Sequence, residues 1–160
     1  MTDSEKLIEL LQKAGKRVIT AESLTAGLVA DLLAQTAGAS KVLWGSYVCY
    51  TVEAKSAMLG ISEKLIAEYG AVSRETACAM AEGALKQSAA DIALSVTGLA
   101  GPGGDGTETP VGTVWIGIAL RGKEVKARRL YYKGSRNEIR TAAAVDALRE
   151  LLLEVQRDTY

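Results

Sequence analysis

The chain contains no histidine, and that absence sets which chemistry is open to it. Ser-His and Cys-His nucleophiles, imidazole acid–base catalysis and histidine-ligated metals all fall away. Its two cysteines, Cys49 and Cys78, form no Cys-x-x-Cys pair, which argues against zinc and leaves no disulfide framework. No metal or other cofactor is expected, and acid–base work falls to Lys, Tyr, Asp or Glu. A hydroxyl nucleophile then needs a base other than imidazole. A lysine desolvated in a pocket can lose its proton near neutral pH and take that part.

Four stretches carry suitable residues. In Thr20-Ala21-Glu22-Ser23-Leu24-Thr25-Ala26-Gly27 a strand passes through a tight turn into a helix start. There Ser23 can point its hydroxyl into the crevice at a strand's carboxyl end. Backbone N–H groups near Thr25 and Gly27 suit an anion or oxyanion. In Tyr50-Thr51-Val52-Glu53-Ala54-Lys55, again past a strand, Lys55 is the candidate base and Tyr50 a proton relay or positioning group. From Thr97 to Gly106 five glycines fall within nine residues. Thr97, Gly98, Gly101 and Gly103 can bring backbone N–H groups close to phosphate or carbonyl oxygens. This loop is neither G-x-x-x-x-G-K-[ST] nor a clean G-x-G-x-x-G, so Walker-type and dinucleotide folds are not supported. Finally, Arg136 after Gly134-Ser135, with Arg140 one turn on, pairs guanidinium forks with a helix dipole, a phosphate-binding combination. Taken singly, each has a plain structural reading: Ser23 as a helix cap, Glu22 as a solvated first-turn carboxylate, Lys55 as an exposed helix lysine, the glycines as a surface loop and the arginines as solvated charge.

The elements that must position these residues can be read from periodicity and caps. Thr2-Asp3-Ser4-Glu5 is a capping box opening a helix from about 5 to 14, and Gly15 stops it. A short strand follows over 17–20. A helix is expected over 24–35, with Ser23 or Thr25 as its hydroxyl cap. A β-branched and aromatic strand is expected over 45–51, then a short helix over 52–59 and another capped by Ser62 and ending near Gly70. Ser73 caps a strong amphipathic helix. Residues 92–96 form a near-continuous apolar strand, which suits a central position. Strands over 111–120 and 124–132 read as a hairpin, the second more polar and nearer an edge. A last helix runs from the Lys133–Arg136 segment to about 155. Alternating strands and helices followed by a hairpin predict a three-layer α/β/α sandwich with a mixed, mostly parallel sheet. At 160 residues the chain is read as one domain, 1–160. Lys+Arg and Asp+Glu are both 19, so no basic nucleic-acid footprint is visible. No apolar run approaches the ~18 residues of a spanning helix. The acidic start Met1-Thr2-Asp3-Ser4-Glu5 lacks a basic n-region, so no signal peptide is read and a cytoplasmic setting is expected.

Five linked motifs, in order along the chain, resemble the CinA C-terminal domain family. They are Ala21-Glu22-Ser23-x-Thr25-x-Gly27; Tyr50-x-x-Glu53-Ala54-Lys55-x-x-Met58-Leu59-Gly60; Gly70-Ala71-Val72-Ser73; Thr97-Gly98-x-Ala100-Gly101-Pro102-Gly103-Gly104; and Pro110-Val111-Gly112-Thr113-Val114-Trp115. The resemblance implies a nicotinamide-nucleotide amidohydrolase, which converts nicotinamide mononucleotide and water to nicotinate mononucleotide and ammonia in pyridine-nucleotide salvage. It carries the family's serine–lysine machinery onto Ser23 and Lys55, with Tyr50 nearby. It implies a small nucleotide as the partner, not nucleic acid or membrane, and a homo-oligomer, dimer or higher. Three departures stand out. Leu24 replaces a frequent cysteine, Ala26 replaces a glycine, and Val52 replaces an asparagine that could touch substrate. Longer family members add an N-terminal domain, so the stand-alone form is expected here. Two other classes remain open: a nucleotide-binding regulatory module without catalysis, and a competence or repair factor, the latter opposed by zero net charge and the lack of a basic aromatic stripe.

Overall fold

A computed structural model describes residues 1–159. Its elements are α1 (Asp3–Ala14), β1 (Val18–Glu22), α2 (Leu28–Ala34), a 3-10 turn (Ala39–Lys41), β2 (Leu43–Val48), α3 (Val52–Leu59), α4 (Glu63–Tyr69), α5 (Arg74–Lys86), β3 (Ile92–Gly98), β4 (Thr113–Leu120), β5 (Lys126–Tyr131) and α6 (Arg136–Thr159). The five strands form one sheet in the order β2-β1-β3-β4-β5. β2, β1 and β3 are parallel; β4 is antiparallel to both its neighbours, so β5 runs with the first three. The mixed, mostly parallel α/β sheet expected from the sequence is what forms.

Alternation within the strands divides the core into two layers. Ile92, Leu94 and Val96 of β3, with Val114, Ile116, Ile118 and Leu120 of β4, face α1, α2 and α6. The opposite face is made of smaller groups and packs against α3, α4 and α5. There Ser95 Oγ donates to the Ala77 carbonyl at 2.7 Å. A Cβ on Gly117 would run into that carbonyl and into Ser95 Oγ. Small residues thus let α5 lie close against the centre of the sheet, as the apolar face of α5 requires.

Two expected caps are as read, while Ser62 precedes α4 without a side-chain cap bond. Thr2 and Glu5 close the capping box on α1, and Ser73 Oγ accepts from the Thr76 N–H at 3.1 Å. The helix expected over 24–35 is shorter than its periodicity suggests. Residues 24–27 form a turn, with Ala26 at φ +48° and Gly27 at φ +98°. Two successive left-handed residues cannot continue a right-handed helix, so α2 starts at Leu28. Neither Ser23 nor Thr25 caps it. Other boundaries move by a few residues. β1 extends to Glu22, β2 stops at Val48 because Thr51 is claimed as the α3 cap, and β4 starts only after Gly112 at φ +95°.

The chain leaves β1 for β2 on one side and later enters β3 on the other. The carboxyl ends of β1 and β3 therefore flank a topological switch point, where open α/β sheets form ligand crevices.

Candidate active site

A cleft of about 210 Å³ opens at that switch point. Ser23 enters it from the end of β1, Thr97 and Gly98 from the end of β3, Tyr50 and Lys55 from the segment after β2, and Arg136 from the start of α6. Gly101 and Gly103 line it from the Gly-rich loop. Eight of the residues singled out by sequence thus meet in one place. Thr25, Gly27 and Arg140 lie behind the cleft instead of on its wall.

Lys55 is 2% exposed, although lysines are rarely buried. Its position follows from α3, whose cap Thr51 accepts from the Ala54 N–H at 3.0 Å and starts the helix at Val52. Lys55 and Leu59, one turn apart, form the buried face. Lys55 Nζ donates to Ser23 Oγ at 3.0 Å, to the Cys49 carbonyl at 3.1 Å and to the Tyr50 carbonyl at 3.3 Å. Burial depresses the lysine pKa, opposed in part by Cys49. The Cys49 thiol is itself pushed up to about 11 by burial, so it stays neutral at pH 7. Glu53, the carboxylate near in sequence, is exposed on α3 and is not among the groups holding Lys55. The expected alternative of an exposed lysine is therefore corrected: a one-turn face on α3 drives Lys55 inward.

The geometry also decides what a neutral Lys55 does. Two carbonyls take the two N–H bonds of the free amine. Its lone pair is then left on the third polar neighbour, the Ser23 hydroxyl.

Around the turn, the Ser23 N–H donates to the Val96 carbonyl, the Ala26 N–H to the Ser23 carbonyl and the Gly27 N–H to Glu22 Oε1. Of the backbone donors expected at 23–27, Leu24, on the cleft wall, and Thr25, behind it, are left, and only Leu24 is placed to meet an oxyanion. Their N–H groups have no partner among the described residues. Thr25 is fully buried and its hydroxyl is unpartnered. Arg140 grips the turn from α6: its Nε donates to the Leu24 carbonyl at 2.7 Å and its Nη2 to the Thr25 carbonyl at 3.4 Å.

At the mouth, Arg136 Nη1 donates to the Gly101 carbonyl at 2.7 Å and Nη2 to the Tyr50 hydroxyl at 2.6 Å. Tyr50 is 52% exposed, and its hydroxyl turns to Arg136 while its carbonyl supports Lys55. Three of the five guanidinium N–H bonds remain for a ligand. Thr97 Oγ1 donates to the Ala71 carbonyl at 2.8 Å, which joins the strand end to the segment before α5. At Gly98 a Cβ would meet Val114 Cγ2 at 2.7 Å and the Thr113 carbonyl at 2.8 Å, so only glycine fits there.

Three contributors escaped the sequence reading. The Cys49 carbonyl holds Lys55 through backbone alone, which no side-chain motif can signal. Asp105 lines the cleft mouth; its carboxyl sits below the usual carboxylate range because the Thr107 hydroxyl and N–H donate to it. Glu22, expected as a solvated carboxylate, is fully buried and accepts from the N–H groups of Gly27, Val29 and Ala30. No local signal marks it, since Ser46 comes within reach only through the β1–β2 register that pairs it with Thr20.

Among the described residues no group of three or more His, Cys, Asp or Glu side chains comes together, and no helix is long and apolar enough to cross a membrane.

Several known proteins are similar to this chain in sequence or in structure. Nicotinamide-nucleotide amidohydrolase PncC of Escherichia coli (strain K12) is 40% identical over 156 residues, covering 98% of this chain and 94% of that protein. A CinA-like protein of Kosmotoga olearia is 44% identical over 144 residues. The chain spans 35% of that protein's length and 33% of a second CinA-like protein's, from Akkermansia muciniphila. Among solved structures, competence/damage inducible protein CihA from Agrobacterium tumefaciens superposes with a TM-score of 0.89 at 42% identity, covering 98% of this chain and 97% of that one. A CinA superfamily protein from Klebsiella pneumoniae 700603 superposes at 0.93 with 30% identity, covering 97% of this chain and 96% of its own. Residues 2–155 match the CinA C-terminal domain, and with that match and these relatives the chain belongs to the CinA C-terminal domain family.

Proposed function

We propose that this chain is a nicotinamide-nucleotide amidohydrolase working by a serine–lysine mechanism without a metal. The observation that carries the reading is the buried Lys55 amine, 3.0 Å from Ser23 Oγ and depressed in pKa by desolvation. The PncC relative, matched over nearly its whole length, supports the substrate.

Neutral Lys55 takes the Ser23 proton as Oγ attacks the carboxamide carbon. The N–H group of Leu24, in the position next to the nucleophile that serves other serine hydrolases, stabilises the developing oxyanion. Protonated Lys55 returns its proton to the amide nitrogen, the C–N bond breaks and ammonia leaves. Water then attacks the acyl-enzyme with Lys55 again as base, releasing the carboxylate product and restoring Ser23. Tyr50 orients Arg136, and that arginine with the 98–106 loop holds the ribose phosphate. The cleft's 210 Å³ lies below the ~300–1,000 Å³ of most small-molecule pockets. It would enclose the amide-bearing ring and leave the phosphate at the open mouth beside Arg136. Remote phosphate binding would position the amide for attack. The reaction belongs to pyridine-nucleotide salvage, in a cytoplasmic homo-oligomer.

The test is ammonia release from nicotinamide mononucleotide by purified, metal-free protein. Stoichiometric ammonia and nicotinate mononucleotide are expected. Tight binding without turnover would instead identify a regulatory nucleotide-binding module.

A further inference from the structure

We propose that Glu22 is a positioning residue for catalysis, the clamp that holds the Ser23 turn and the lysine platform in one geometry. This rests on the serine–lysine reading above.

Glu22 Oε1 accepts from the N–H groups of Gly27 at 3.2 Å and Val29 at 2.8 Å. Oε2 accepts from the Ala30 N–H at 3.1 Å, from Thr20 Oγ1 at 2.9 Å and from Ser46 Oγ at 3.2 Å. One carboxylate thus joins the start of α2 to β1 and β2, and takes the capping part that no hydroxyl fills. Its effect reaches Ser23 from both sides of the turn, since Glu22 precedes Ser23 and its carboxylate grips Gly27 beyond it. The main chain of the same residue serves the base. The Glu22 carbonyl accepts from the Cys49 N–H at 2.8 Å, and the carbonyls of Cys49 and Tyr50 orient Lys55. The side chain itself lies outside the cleft wall. Glu22 therefore acts on attack geometry and leaves substrate contacts alone. Displacement of a reacting group by about 1 Å can cost ~10²-fold in rate.

The test is Glu22→Gln, assayed for ammonia release and for labelling of Ser23 by a fluorophosphonate. Expected is a loss of about 10²-fold in both kcat and labelling rate. KM should stay within about twofold, and the pH midpoint should be unmoved, since substrate and lysine contacts persist. A purely structural role would lower Tm while leaving kcat intact well below melting, and that result overturns the proposal. Should Glu22→Gln fail to fold, the double variant Thr20→Val, Ser46→Ala keeps the carboxylate and its bonds to α2 while cutting those to β1 and β2. A fall of about 10-fold in kcat at unchanged KM is then expected, and unchanged kcat overturns the proposal. A wild type that labels at Ser23 but releases no ammonia refutes the amide substrate, while the labelling rate still tests Glu22. A wild type that does neither overturns both.

Discussion

A lysine becomes a useful base only where burial, not a counter-charge, governs its proton. In solution its pKa is ~10.4, and an adjacent carboxylate would raise it. At Lys55 desolvation dominates, and Cys49, which opposes it, is a thiol itself pushed up to about 11 by burial, so the shift is toward the free amine. The sign for activity follows: rate rises with pH through an apparent ionisation below that of free lysine and reaches a plateau. A profile still climbing at the ordinary lysine value would remove Lys55 as base. Stability runs the same way. The unfolded chain holds more protons at this site than the native one, so the contribution grows as pH rises from the native to the unfolded pKa. Lys55→Arg should leave under ~1% of kcat, because guanidinium stays protonated although the charge is kept. Ser23→Ala should abolish turnover and fluorophosphonate labelling with far-ultraviolet circular dichroism unchanged. Its stability cost should be small, about 1 kcal/mol, since Ser23 caps no helix and loses one hydrogen bond.

The element that matters most is the turn between β1 and α2, which is held from three directions. Glu22 holds it from within, the Val96 carbonyl from β3, and Arg140 from α6. The two arginines of α6 consequently do different work. Arg136→Ala should raise KM for the mononucleotide severalfold or more and leave the phosphate-free nucleoside nearly unaffected, as steady-state kinetics on both will show. Arg140→Ala should lower kcat for both substrates alike, because it frees the Leu24 and Thr25 carbonyls behind the turn. Equal behaviour of the two variants would place the phosphate elsewhere on the loop. The turn also carries a cost. Ala26 holds φ +48°, where a side chain is disfavoured by roughly 1–2 kcal/mol. Ala26→Gly relieves that strain but adds freedom to the unfolded chain. The balance should be a gain of about 0.5–1 kcal/mol, or ~1–4 °C in Tm by calorimetry.

On the scale of the whole molecule, the sheet order brings three chain segments to one switch point. Lys+Arg and Asp+Glu cancel at 19 each, so net charge should give the proposed anionic substrate little long-range steering and leave its recognition to the cleft. Without histidine, and with no cluster of three or more acidic or thiol ligands among the described residues, dialysis against a chelator should leave ammonia release unchanged. Activity lost to chelation and restored by zinc, manganese or magnesium would contradict the mechanism.

What the sequence determined alone was composition, period and order. A histidine-free chain narrows acid–base work to Lys, Tyr, Asp or Glu, and Ser23 after one strand and Lys55 after another are candidates for a hydroxyl nucleophile and its amine base. Apolar periodicity and the capping signals at Thr2 and Ser73 mark helices that form, whereas Thr51, read as the end of a strand, caps α3, and Ser62 makes no cap bond. Local rules fail at residues 24–27, where apolar spacing continues the helix on paper but two left-handed residues interrupt it. They fail again at Glu22, whose partners Ser46 and Ala30 come from different elements and whose burial no local window can express. The distance from Ser23 to Lys55, the two carbonyls that aim the amine, and the separation of Arg136 from Arg140 were decided by tertiary structure alone. Each depends on strands adjacent in the sheet and distant in the chain. A lysine's proton affinity is set by how much water its neighbours exclude, and only the packed fold specifies those neighbours.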